Sequence, residues 1–299
     1  MHAPPRGRVY AIYYTALAAI AVPVNIMAIV ILSRGRCGLP NCITRYLLSM
    51  TDLLVIFTAV ILNRIPAIYF PGSFLSITPV CSLRIALIYA ARDSSVWLTV
   101  AFTFDRFVAI CCQKLKTKYC TDKTAAVVIG MVCALVCLKS VPWYFIHEPL
   151  YKIDNVPWYC KLKKIRYASP IWRTFDWFGR ILTHCLSFIL IFLLNAVTVR
   201  YILAASRARS RLRAHSNEEI QSDPEMESRR KSIVLLFAIS GSFILLWMTY
   251  LVQLLLERFI SDYKIKSFSD PKFVLQESGN MLQLLCCCTN TFIYCSNSE

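Results

Sequence analysis

Asp52 stands inside the apolar run 44–70 with no charged residue beside it in sequence. A lone carboxylate in such a run needs a cation, an ion or hydrogen-bond donors, because burying it unpaired is costly. A second concentration of polar chemistry is Cys81–Arg106, CSLRIALIYAARDSSVWLTVAFTFDR. As one helix at ~1.5 Å per residue it runs ~38 Å, close to the ~40–45 Å of a bilayer with its headgroup layers. At ~100° per residue, Cys81, Arg92, Ser95, Thr99 and Arg106 fall within an arc of about 60°. A thiol, two cations and two hydroxyls on one face of an apolar helix must point into a bundle rather than at lipid. A core helix of a large soluble protein would read the same way in isolation.

The elements that must position these residues follow from composition. Hydrophobic residues make up 57% of the 299 positions, mean hydropathy is +0.53, and charged residues are only 17%, too few to coat a soluble domain of this size. The net charge of +16 lies mostly in short stretches between apolar runs, the pattern of a protein meeting headgroups and cytosolic partners rather than nucleic acid. The expected fold is an all-α membrane protein, one domain over 1–299 in seven helices at about 9–32, 44–70, 81–112, 124–145, 171–205, 231–256 and 273–295. Pro23 and Asn25 interrupt helix 1, Pro66 kinks helix 2 and Pro142 breaks helix 4. Residues 147–170 form a long polar segment with aromatics, and the chain stops five residues after Tyr294, which reads as a truncation.

Orientation rests on cysteine. The Lys and Arg tally of the loops is nearly balanced, a weak signal. With an extracellular N-terminus, Cys81 and Cys160 are the extracellular cysteines and the other twelve lie in helices or on the reducing cytosolic side. The opposite topology would expose Cys37, Cys42, Cys111, Cys112 and Cys120 to oxidation. A Cys81–Cys160 disulfide, an extracellular N-terminus and a cytosolic C-terminus are therefore expected. There is no Asn-x-Ser/Thr sequon.

Six features in order resemble the rhodopsin-like (class A) G-protein-coupled receptors across essentially the whole chain. These are Asn25 in helix 1, Asp52 in helix 2, the Cys81 and Cys160 pair, Asp105-Arg106-Phe107 for the Asp-Arg-Tyr motif, Trp247 in helix 6, and Asn290-Thr-Phe-Ile-Tyr294 for Asn-Pro-x-x-Tyr. The phrasing of helices 3 and 5–7 is similar to the orphan branch of probable G-protein coupled receptor 139-like sequences, associated with aromatic amino acids or small peptides. Helix 4 lacks the family's tryptophan, and the prolines of helices 5, 6 and 7 stand here as Ser187, Thr249 and Thr291. Their hydroxyls either soften hinges or merely bond back to their own helix.

The resemblance implies a receptor in the plasma membrane that binds a small molecule or peptide and activates a heterotrimeric G protein. Asp52, Ser95, Asn290 and Trp247 match an ion pocket that suits a sodium ion, with a water network or a protonated Asp52 as the alternative. Asp105, Arg106 and Tyr294 form the expected G-protein switch, and basic residues in 114–123 and 207–213 either face the partner and anionic lipid of the bilayer or are for the most part the topology signal of cytosolic loops. At ligand depth lie Arg92 and Asp93, with Arg84, Lys139, Arg180, His184, Glu277 and Asn280 on outer helix halves and Trp97, Trp177 and Phe178 as apolar walls. Cations outnumber acids there, which suits a zwitterionic or anionic, aromatic ligand such as an amino acid or short peptide. The alternative is an internal salt bridge of Arg92 with Asp93 or Glu277.

Other classes have less support. A transporter usually shows inverted repeats, and none is visible; a ligand-free accessory membrane protein remains an alternative. A retinal pigment needs a lysine within helix 7, where Lys272 is only at the start. An enzyme is not expected. His2, His147, His184 and His215 are scattered, there is no HExxH, and Cys286–Cys288 cannot turn three thiolates toward one metal from adjacent helix positions. Cys295 is either a palmitoylation site or a plain interfacial thiol. No cofactor is expected beyond the sodium ion.

Overall fold

A computed structural model of the chain describes residues 8–33, 42–112, 115, 121–164, 169–213, 224–259 and 270–296, without the side chains of 42–47, 122, 209–213, 224–229, 231, 232, 258, 291 and 294–296. Seven long helices form the bundle. They are α1 (Arg8–Ser33), α2 (residues 42–69), α3 (Thr78–Cys111), α4 (residues 122–145), α5 (residues 170–213), α6 (Pro224–Phe259) and α7 (Pro271–Ser296). The first six contain stretches apolar and long enough to cross a membrane. α7 is not among them, because Gln276, Glu277, Asn280, Gln283 and Asn290 dilute it.

The breaks differ from the sequence expectation. α1 runs unbroken through Pro23. In an apolar surrounding the remaining backbone bonds have no water to exchange for, so the helix holds across the lost N–H. α2 is α-helical over Cys42–Val55 and Ile65–Tyr69, with a π-helical stretch at Ile56–Arg64 between them. The distortion thus lies before Pro66, the side on which proline cannot donate to the preceding turn. α4 ends at Ser140 and resumes over Pro142–Phe145. α5 carries a second π-helical stretch, Ile181–Cys185, between Pro170–Arg180 and Leu186–Arg213. α5 reaches Arg213 rather than 205, and α6 begins at Pro224 rather than 231. Their charged ends are helix formers that continue past the apolar length, and Pro224 is tolerated in a first turn.

The segment after α4 holds strands that its polar composition did not announce. β1 (His147–Glu148) pairs antiparallel with β4 (Lys161–Leu162), and β2 (Tyr151–Ile153) pairs with β3 (Val156–Trp158). Asp154 and Asn155 turn the inner hairpin at φ 46° and 63°, a conformation that Asn and Asp tolerate best after glycine. The Cys81–Cys160 disulfide joins this segment to the first turns of α3, with the Cα atoms 6.2 Å apart. Thr78 Oγ1 adds a hydrogen bond to the Tyr159 carbonyl at 2.7 Å.

Packing divides the interior into layers. Tyr14, Ile56, Val60 and Leu284 bind α1, α2 and α7 together. Phe243, Trp247, Tyr250 and Ile191 fill the space between α3, α5, α6 and α7. Cys286, Cys287 and Cys288 are all buried in these layers, and no three His, Cys, Asp or Glu side chains cluster as a metal site among the described residues. By contrast Leu135, Leu138, Ile189 and Phe192 on α4 and α5 stay exposed, as a lipid-facing surface would.

Candidate functional site

The polar face of α3 turns inward. Cys81, Ser95, Thr99 and Arg106 are buried and Arg92 is half-buried. At the middle of the bundle Asp52 is fully buried. Ser95 Oγ donates to its Oδ1 at 2.8 Å, and Asn290 Nδ2 donates to its Oδ2 at 3.0 Å. α2, α3 and α7 therefore meet on one carboxylate. Asn25 extends the tie to α1, donating to the Cys287 carbonyl at 3.0 Å. Asn290 Oδ1 is buried with no hydrogen-bond partner among the described residues. Carboxylate, hydroxyl and free amide oxygens are hard donors, so the residues fit a sodium ion. Trp247 is buried in the layer containing Cys286.

Arg106 is 2% exposed at the far end of α3. Its Nη2 donates to Asp105 Oδ2 at 3.0 Å, and its guanidinium lies 5.5 Å from the Phe102 ring centre. The Tyr294 side chain lies outside the described residues, as do residues 114 and 116–120 of the basic stretch and the side chains of 209–213.

Toward the other end a recess of about 380 Å³, its open mouth included, lies between α3, α4, α5 and α6. Arg92, Asp93, Lys139, Arg180 and His184, all named from the sequence, line it together with Asp176, Tyr89, Trp143, Phe175, Gly179 and Tyr250. Lys139 Nζ donates to Asp93 Oδ2 at 2.7 Å, Thr183 Oγ1 at 2.5 Å and the Gly179 carbonyl at 3.1 Å. Arg180 Nε donates to Asp176 Oδ1 at 2.7 Å, and its Nη1 lies 3.6 Å from Glu257 Oε2. Each lining carboxylate thus already has a cation. Arg92 makes no ion pair among the described residues: its guanidinium sits 5.6 Å from the Tyr250 ring centre and its Nε is buried without an acceptor. The expected Arg92–Asp93 bridge does not form; Asp93 is held by Lys139 instead.

Three expected ligand residues lie elsewhere. Arg84 Nη1 donates to the Leu62 carbonyl at 3.1 Å. Leu62 stands in the π-helical stretch before Pro66, so Arg84 of α3 caps the distorted turn of α2. Glu277 pairs with Arg64 at 3.3 Å rather than with Arg92, and Arg64 lies 5.1 Å from the Tyr14 ring centre. Asn280 is half-buried outside the recess. The walls differ too. Trp177 and Phe178 are 46% and 60% exposed, on the outside of α5, and Trp97 packs in the layer around Trp247. The rings that line the recess are Tyr89, Trp143, Phe175 and Tyr250. The Asp176–Arg180 pair had a signal in its i,i+4 spacing; Tyr89 and Tyr250 had none beyond being aromatic.

A seven-helix bundle with a buried carboxylate at its centre, a recess at one end and a sheltered arginine at the other has the layout of a membrane receptor. Residues 24–294 match the family described as 7 transmembrane receptor (rhodopsin family), and the chain belongs to that family. It is a multi-pass membrane protein, and its family is one of receptors rather than enzymes. The chain is 25% identical over 274 residues to the FMRFamide receptor of Drosophila melanogaster, covering 86% of this chain and 48% of that one. It is 26% identical over 267 residues to the thyrotropin-releasing hormone receptor of Bos taurus, covering 82% of this chain and 65% of that one. To the thyrotropin-releasing hormone receptor of Homo sapiens it is 30% identical over 165 residues, 52% of this chain and 40% of that one. The chain therefore spans less than two thirds of the length of these relatives.

Proposed function

We propose that this receptor binds a small ligand bearing a carboxylate in the recess between α3, α4, α5 and α6 and activates a heterotrimeric G protein at the plasma membrane. The observation that carries the reading is Arg92, a recess cation that pairs with no carboxylate among the described residues while Asp93 and Asp176 are each held by another cation. A zwitterionic or anionic ligand supplies the missing charge, and Tyr89, Trp143 and Phe175 offer an aromatic part its apolar contact. An amino acid or a short peptide has this chemistry. The resemblance to the 139-like branch and the FMRFamide and thyrotropin-releasing hormone receptors among its relatives support a small peptide or amino-acid messenger, while the carboxylate rests on Arg92 alone.

Arg106, held by Asp105, is the residue released toward the G protein. It lies about 21 Å along α3 from Arg92, too far to touch a small ligand. Asp52, Ser95 and Asn290 hold a sodium ion when the receptor is at rest, and the ion neutralises the buried carboxylate. The test measures ligand binding and agonist-driven nucleotide exchange on the same membranes. Arg92→Ala is expected to lose binding, and Arg106→Ala to lose exchange while binding persists. Ligand uptake without exchange would falsify the receptor reading in favour of a transporter.

A further inference from the structure

His184 is 5% exposed and stands on the π-helical stretch of α5, in the wall of the recess. Its Nδ1 lies 3.0 Å from the carbonyl oxygen of Arg180. A carbonyl only accepts, so Nδ1 carries the hydrogen and donates it. In the neutral ring Nε2 is then a bare acceptor. That atom is buried and has no hydrogen-bond partner among the described residues. Lys139 commits its three hydrogens to Asp93, Thr183 and Gly179, and the Arg92 guanidinium lies over Tyr250 with its Nε also unpartnered among the described residues. The rings of Trp247 and Tyr250 pack on the imidazole at 5.6 and 5.2 Å between centres. A buried acceptor left without a hydrogen is unfavourable, and a site built that way discriminates against molecules that cannot supply one.

We propose that His184 Nε2 reads a hydrogen-bond donor on the ligand, so that the recess selects aromatic carboxylates carrying a neutral N–H or O–H over those without one. This rests on the recess being the ligand site. Arg92 and His184 flank the same Tyr250 ring, so one compact molecule can present its anion to the first and its donor to the second. The contact also sets the ligand against Trp247 through the imidazole it touches.

The test uses the full chain in membranes with two probes of equal charge, indole-3-propionate and 1-methylindole-3-propionate, which differ in the ring N–H. Indole-3-propionate is expected to bind at least about tenfold more tightly, and His184→Phe, which keeps a ring and removes the acceptor, to bring the two within about twofold. In the unsubstituted receptor, nitrogen-15 resonances of histidine report the contact without relying on the variant. Indole-3-propionate should shift the Nε2 signal of His184, and the methylated acid should not. Equal affinities for the two acids, both lost in Arg92→Ala, would overturn the role of His184 and leave the recess standing. Failure of both acids to bind, or binding indifferent to Arg92→Ala, would overturn the recess reading and this inference together.

Discussion

Lys139 Nζ lies 2.7 Å from Asp93 Oδ2, a charge pair that fastens α4 to α3, and the same ammonium bonds to Thr183 and Gly179 of α5. Three helices are joined at one nitrogen beside the recess. The Asp93 side chain is 7% exposed, so its charge depends on this partner. Lys139→Met is expected to cost about 3 kcal/mol, the low end for breaking a buried pair because the lysine side chain is partly exposed. Lys139→Met with Asp93→Asn should recover most of the loss, since no lone charge then remains. The half-life of ligand binding on heating measures both. A double variant no better than Lys139→Met would show that the lysine acts through Thr183 and Gly179 instead.

The Cys81–Cys160 bridge holds the strand segment against the start of α3. Cys81→Ala and Cys160→Ala should each lower surface expression and ligand response, with a loss typical of about 2–5 kcal/mol for a native disulfide. The double variant should be no worse than either single one, because one bond is lost in all three. Labelling of both thiols on intact cells by an impermeant reagent would contradict the bridge.

If Asp52 holds a sodium ion, agonist affinity should fall when sodium replaces a bulky organic cation at constant ionic strength. Asp52→Asn should abolish that dependence while keeping the hydrogen bond to Ser95. Affinity that never responds to sodium in the unsubstituted receptor would favour the network of Ser95, Asn290 and water.

Gly279 and Gly179 make opposite predictions. A Cβ on Gly279 would sit 3.0 Å from the Cα and 3.1 Å from the backbone N of Tyr250, so α7 would have to part from α6. Gly279→Ala is expected to destabilise by about 1–3 kcal/mol, the range for overpacking, and to weaken ligand binding by displacing Tyr250. A Cβ on Gly179 would meet Lys139 Cε at 3.2 Å, a side-chain atom and not the backbone of a neighbouring helix. Gly179→Ala should be milder in thermal stability measured on the same membranes, and a reversal of that order would count against the α6–α7 contact.

The helix count and the inward face of α3 were legible because apolar length and helical spacing are local properties of the chain. The disulfide was legible from compartment chemistry, since only two cysteines fall on the oxidising side. Asp52 was conspicuous as a charge in an apolar run, although its donors came from 43 and 238 residues away. The ligand residues were only partly legible. Arg84, Arg92, Arg180 and Glu277 look alike in sequence, each an ion on the outer half of a helix. Which of them faces a cavity depends on helix rotation and on who else is near. The Leu62 carbonyl captures Arg84, Arg64 captures Glu277, and Lys139 captures Asp93, leaving Arg92 open to the recess. A charge pattern along one chain names the ions; only packing decides their partners, because Coulomb and hydrogen-bond energies fall off over a few ångströms that sequence separation does not measure.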